Sequence, residues 1–376
     1  MSGGLSTVPA PRLSAVAIQA ALERAHVPPG DVSEVIMGNV IGAGLGQNPA
    51  RQAMIFAGLP TSIPALTINK VCGSGLKAVM LAAQSIALGE SSIVVAGGME
   101  NMSLAPHLLP QARQGYRLGH GTLVDAMIHD GLWDVYGGQH MGAYGDQCAA
   151  KYNFTREQQD DFAVCSCERA RAASASGAFA DEIVPVEVAI KKSTTIVRDD
   201  EGPKRFDEAK LRKLSAAFSE GGTITAGNAS SISDGAAALV VASSDEAARR
   251  NLQPLARIVG SATFSQDPAW FTTAPIGALK KLFAQLNWSP ADVDLYEINE
   301  AFAAVAMAAE HELRLPPQRV NIHGGAVALG HPIGATGARI LVTLLYALRR
   351  TGGRRGVACL CIGGGEAVAL AIETEP

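Results

Sequence analysis

Residues 68–79, INKVCGSGLKAV, constrain the fold more than any other stretch. Ile68 and Val71 form a short β-branched run, and Gly73 and Gly75 permit the φ > 0 of a sharp turn. Leu76, Val79, Met80, Ala83 and Ile86 then recur at helical spacing. The reading is strand, tight turn, helix. The same unit is echoed over 320–349, and GGME after the strand SIVVA is echoed by Gly364, Gly365 and Glu366 after VACLCIG. Strands that alternate with helices longer than ten residues predict an α/β class, with two similar halves, each a mostly parallel sheet with helices on its faces. A chain of 376 residues exceeds one hydrophobic core, so two or three packed units are expected.

Cys72 sits at this turn. A thiol there stands clear of the sheet and faces the first free N–H groups of the following helix, whose partial positive charge favours thiolate. The alternative is a small buried hydrophobe, the commoner fate of a free cysteine. Two further glycine-rich turns raise the chemical reading: GHP at 330–332 and Cys-x-Gly at 361–363.

The balance of the chain excludes several classes. A net charge of −4 argues against general nucleic-acid binding, though a local basic patch could still face an anion. No apolar run approaches a membrane span, and neither a secretory leader at the N-terminus nor a peroxisomal address in the final ETEP is recognisable, so a cytoplasmic location is expected. Six cysteines without a C-x-x-C pair predict free thiols, with Cys148, Cys165 and Cys167 as packing residues.

Three regions are expected. Residues 1–102 and 233–252 form the first half, 253–376 the second, and 103–232, polar and poor in periodicity at its start, an insertion. Within the insertion Thr155 and Gln158 spell a capping box for a helix reaching about Ser174. Lys191, Lys192, Arg198, Lys204, Arg205, Lys210, Arg212 and Lys213 follow as a basic run, either a solvated face or a phosphate clamp.

VCGSG at Cys72, NEAF at 299–302, GHP at His331 and CIG at Cys361 fall together in one order. With GNV at 38–40, GQNPARQA at 46–53, GGMENMS at 97–103, HMG at 140–142 and TAGNAS at 225–230, the sequence resembles the thiolase family, and its biosynthetic branch in particular, over nearly the whole chain. The resemblance implies a thiolase-like duplicated, layered α/β fold with an inserted loop domain. It implies reversible Claisen condensation of two acetyl-CoA to acetoacetyl-CoA through an acyl-cysteine, with no permanently bound cofactor and coenzyme A thioesters as substrates.

It also implies roles. Cys72 is the nucleophile, His331 the base that takes its proton, and Cys361 the acid/base at the α-carbon, where a thiol of pKa near 8.5 needs only modest tuning. His331 with a water held by Asn299 forms one oxyanion hole, and the N–H groups of Cys72 and Gly363 the other. Ser230 and Ala226 run along the pantetheine, His140 and Met141 lie near the acyl end, and Phe218 sits beside the cofactor. Residues 105–136 resemble a tetramerisation loop, which implies a homotetramer built as a dimer of dimers. Alternatives are a degradative thiolase of broader chain length, because AYGD at 143–146 departs from the short-chain pattern, and a binder of acyl-CoA or lipid without turnover. Finally, the family's first strand, of the type IVSAVRTPIG, does not precede the SGGLS at 2–6, so an open apolar slot inside the first sheet is expected.

Overall fold

The computed structural model describes residues 2–190 and 193–374. Two four-stranded sheets form its frame. In the first half β1 (Glu34–Gly38) lies between β2 (Ala65–Ile68) and β3 (Ile93–Asn101), parallel to both, and β4 (Asp234–Ala242) runs antiparallel along the outside of β3. In the second half β5 (Arg257–Ser265), β6 (Leu295–Ile298), β7 (Arg355–Ile362) and β8 (Glu366–Glu373) stand in the order β5-β8-β7-β6, with only β6 and β7 parallel. Superposing the orders pairs β1 with β6, β3 with β7 and β4 with β8. The first sheet is mostly parallel, as the alternation predicts, with β4 alone returning antiparallel; the second has a single parallel pairing, because β8 runs against both its neighbours.

The helices make the layers. α1 (Ala10–Arg24) and α2 (Pro49–Phe56) cover the outer face of the first sheet through Ile18, Leu22, Ala53 and Met54 against Val35, Met37 and Val95. α6 (Ala274–Leu286) and α7 (Ala303–Leu313) cover the second through Leu279, Leu282 and Val305. Between the sheets lie α3 (Ser74–Ala87) and α8 (Thr336–Thr351). Leu76, Val79 and Met80 of α3 and Ile340, Leu341 and Leu344 of α8 pack on each other and on Ile36, Val94, Leu360 and Val368 of the sheets. Two of the insertion's helices, α4 (Met141–Tyr152) and α5 (Arg156–Ala175), attach to the second half, and α5 opens with the expected Thr155–Gln158 capping box.

Three local expectations change. GGME does not follow the strand but is part of β3, whose Gly97 and Gly98 leave room for the Ala237 carbonyl of β4 and the Gly334 carbonyl of the second half. Cys148 and Cys167 are buried, but Cys165 is exposed. The opening in the first sheet is not inside it: β2, β1, β3 and β4 are contiguous. Among the described residues the outer edge of β4 has no partner, where β8 has β5. A groove of about 1690 Å³ runs there between α1 and α8.

Candidate active site

The inner helices begin against one another. A Cβ on Gly75 would stand 2.7 Å from the Ala338 nitrogen, and one on Gly337 2.7 Å from the Leu76 Cβ, so the two N-termini cross only because both positions are glycine. This crossing brings together the turn that carries Cys72, ahead of α3, and the loop that carries His331, ahead of α8.

The φ > 0 in the Cys72 turn falls not on Gly73, whose φ is −80°, but on Val71 at +48°. A β-branched residue in the left-handed region costs about 1–3 kcal/mol and needs support. Here the Val71 N–H donates to Asn69 Oδ1 at 2.8 Å, and Ser74 Oγ donates to the Val71 carbonyl at 2.7 Å while accepting the Lys70 N–H at 2.8 Å. Gly73 is needed for a different reason, since a Cβ there would strike Ile362 at the end of β7.

Cys72 is half-buried as a residue, and its sulfur lies in a setting dense enough that burial pushes the thiol up to about 11. The N–H groups of Gly363 and of Cys72 itself oppose this, and the charge of Glu100 adds to it. The helix end therefore does not make Cys72 a resting thiolate: desolvation outweighs the nearby donors.

His331 is 6 % exposed. Its Nδ1 lies 2.7 Å from Thr336 Oγ1, whose hydroxyl proton goes to the Pro332 carbonyl at 2.8 Å. Thr336 must then accept from Nδ1–H, which leaves the Nε2 lone pair free for chemistry. Burial, with a smaller contribution from Arg339, lowers the imidazole to about 3, so it rests neutral. Nε2 faces Asn299 Nδ2 at 3.5 Å, while Asn299 Oδ1 is buried without a donor among the described residues. It is open to a donor brought by substrate or solvent.

Cys361 lies in β7, fully buried, two residues from Cys359. Burial first, then the proximity of Cys72 and Cys359, raises its thiol well above the ordinary value. The tuning is thus large rather than modest. Gly363 follows β7, and its N–H reaches Cys72 from the other half. A Cβ there would be 3.4 Å from Met141 Sδ and 3.8 Å from Val71 Cγ1, ordinary contacts, so those two side chains bound an open space in front of the two N–H groups.

Of the expected coenzyme contacts, His140 stacks on Phe218 with centroids 4.7 Å apart, Phe218 meets Phe302 edge-on, and Met141 reaches Gly363. Gly142 is required because a Cβ would enter the Phe218 ring. The Ser230 N–H donates to the Ala301 carbonyl at 3.0 Å, and Ala226 is exposed in the same loop. The basic run is less available than its composition implies: Lys204 pairs with Asp199, Arg205 with Glu201, Lys210 with Asp207, and Arg212 with Asp161 and Glu208. Lys191 and Lys192 lie outside the described residues.

Sequence reasoning missed Thr336, Glu100 and Glu300. Glu300 accepts from Ser166 Oγ, Asn321 Nδ2 and the Val327 N–H, fixing the segment ahead of His331. A carboxylate inside an apolar run, as in VVAGGME and INEAFAAV, was the available signal, because such a group must find donors when buried.

Two interlocked α/β halves with a cysteine, an imidazole, an amide and a second thiol at their junction define a thiolase, and the chain belongs to that family. Its residues 1–245 match the thiolase N-terminal domain and 252–374 the thiolase C-terminal domain. It is 55% identical to acetyl-CoA acetyltransferase 2 of Arabidopsis thaliana, over 99% of this chain and 93% of the relative. It is 52% identical to the cytosolic acetyl-CoA acetyltransferase of Mus musculus, over 99% of this chain and 94% of that one. The crystal structure of the Bacillus anthracis acetyl-CoA acetyltransferase superposes with a TM-score of 0.97 at 42% identity, covering 100% of this chain and 95% of that one.

Proposed function

We propose that the chain is an acetyl-CoA C-acetyltransferase that condenses two acetyl-CoA into acetoacetyl-CoA and CoA, and runs the reverse thiolysis, through an acetyl-Cys72 intermediate. The observation that carries this reading is the contact across the junction: Cys72 of one half beneath the Gly363 N–H of the other, with Cys361 close enough for its charge to be felt.

In the first half-reaction Cys72 Sγ attacks the thioester carbon, and its proton passes to His331 Nε2 and on to the departing CoA sulfur as the old C–S bond breaks. The N–H groups of Cys72 and Gly363 receive the developing oxyanion, each donor contributing about 3 kcal/mol. In the second, Cys361 as thiolate removes an α-proton from a new acetyl-CoA, whose carbonyl oxygen lies toward the Asn299 amide N–H. The α-carbon attacks the Cys72 thioester, the bond to Cys72 breaks, and the released thiolate takes up the proton that Cys361 gained. Burial makes the Cys361 thiolate the scarce species, so this half-reaction is the one that gains from higher pH.

His140, Met141 and Phe218 are read as the acyl and pantetheine wall, with Ser230 and Ala226 further out, and the substrates as coenzyme A thioesters. Residues 103–232 are read as an insertion between the halves 1–102 with 233–252 and 253–376. The exposed Leu118, Leu123, Val135 and Tyr136 support the reading of its early loop as the contact of a homotetramer. Among the described residues no helix is long and apolar enough to cross a membrane, and a cytoplasmic place is the reading we adopt.

Mass spectrometry after incubation with acetyl-CoA tests the core of this. Cys361→Ala should carry one acetyl group on Cys72 yet form no acetoacetyl-CoA, and Cys72→Ala should carry none. Full acetylation of Cys72→Ala would overturn the assignment. Turnover of acetoacetyl-CoA against a long-chain 3-ketoacyl-CoA then tests the short-chain reading.

A further inference from the structure

Glu100 is fully buried at the end of β3 and touches neither thiol nor imidazole directly in any hydrogen bond. It is instead surrounded by donors. Oε1 accepts from Asn39 Nδ2 at 2.9 Å and the Ile41 N–H at 3.2 Å, and Oε2 from the Val40 N–H at 3.0 Å and the Gly334 N–H at 3.0 Å. Four donors and no acceptor leave no place for a carboxyl proton, so the arrangement is built for the anion.

Two of the anchored segments meet at the reaction. Val40 and Ile41 pack with Ile333 in the cluster against which Cys72 rests, and Gly334 stands three residues after His331 in the loop that leads into α8. The backbones are as close as they can be: a Cβ on Gly334 would stand 2.6 Å from the Met99 carbonyl and 2.7 Å from Glu100 Oε2, and a Cβ on Gly38 2.6 Å from the Gly334 carbonyl. At the other end of the same segment the Val327 N–H is held by Glu300. The imidazole is therefore carried on a strip of backbone strung between one buried carboxylate from each half.

We propose that Glu100 is a positioning residue for His331: by holding the Gly334 N–H and the Val40–Ile41 turn on one carboxylate, it fixes the distance between the imidazole on the second half and the thiol on the first. The inference rests on the reading of His331 as the base for Cys72. It gives the junction a reason to carry a buried anion with no cation beside it among the described residues, whose own pKa is pushed up to about 7 by burial and whose charge works against the Cys72 thiolate. A feature that costs stability and opposes ionisation of the nucleophile has its return in geometry, where a displacement of about 1 Å can cost about 100-fold in rate.

The test is a double-mutant cycle read as the pre-steady-state rate of Cys72 acetylation by acetyl-CoA. Glu100→Gln, whose amide nitrogen cannot accept from two of the four donors, should slow acetylation by about 10- to 100-fold while KM changes by less than about twofold. In a His331→Ala background the same substitution should slow it by less than about twofold, because there is no imidazole left to misplace. Equal losses in both backgrounds would overturn the proposal and leave Glu100 a purely structural group. A His331→Ala variant that acetylates at the unaltered rate would instead overturn the reading of His331 itself. Asn39→Ala removes one donor of the four, and is the variant to use if Glu100→Gln does not fold. It should show a smaller loss that likewise disappears with His331→Ala, and a loss that persists counts against the proposal.

Discussion

Replacing Thr336 by valine removes one hydroxyl and almost no volume from a position that is fully buried. The hydroxyl makes two hydrogen bonds, accepting from His331 Nδ1 at 2.7 Å and donating to the Pro332 carbonyl at 2.8 Å. The carbonyl is not orphaned by the change, because the N–H groups of Ala335 and Thr336 also donate to it. Nδ1–H is orphaned, and an unsatisfied buried donor costs about 1–3 kcal/mol. That penalty falls on the tautomer with its proton on Nδ1, the one that leaves Nε2 free to take the Cys72 proton. The imidazole then shifts toward the Nε2–H form, and at about 1.4 kcal/mol per tenfold the working population falls by about 5- to 150-fold. The acetylation burst of Cys72 should slow by that factor with KM little changed, and ¹⁵N spectra of His331 should show the proton moved from Nδ1 to Nε2. Thr336→Ser, which keeps the hydroxyl, should acetylate at close to the original rate. Wild-type acetylation in Thr336→Val, or a Thr336→Ser variant as slow as Thr336→Val, would refute the tautomer argument.

Two further outcomes follow from the same geometry. With the Cys72 thiol raised to about 11, its alkylation by iodoacetamide in the free enzyme should climb about tenfold per pH unit through neutrality without levelling, whereas a plateau near the ordinary thiol value of about 8.5 would show that the helix end governs after all. Gly75→Ala places a methyl 2.7 Å from the Ala338 backbone and should cost about 1–3 kcal/mol in urea unfolding; Gly30→Ala, where nothing lies within 4 Å, should stay within about 0.5 kcal/mol, and equal effects at the two positions would remove the crossing of α3 and α8 as the reason for the glycine.

The sequence by itself determined local elements and proposed the participants. Apolar spacing after Cys72 wrote α3, the Thr155–Gln158 pair wrote the start of α5, and the ordered motifs named Cys72, Asn299, His331 and Cys361 as a set. These are local patterns, and local patterns survive in one dimension. What only the tertiary structure decided depends on neighbours hundreds of residues away. Gly73 and Gly75 looked like turn residues, but Ile362 and Ala338 require them to be small, and the strained φ moved to Val71, where side chains of Asn69 and Ser74 hold it. The helix end after Cys72 suggested a thiolate, yet the second half covers the sulfur, and desolvation, a property of the whole surrounding volume, outweighs the few donors a sequence can locate. The basic run left a solvated face and a phosphate clamp open, and only the fold shows that four of its cations stand beside acids, Asp161 from a distant helix among them. Glu100 could be read from the sequence only as an acid in an apolar strand; that it joins the two halves through Val40, Ile41 and Gly334 follows from packing alone, because a buried carboxylate takes its donors from whatever backbone the fold brings to it.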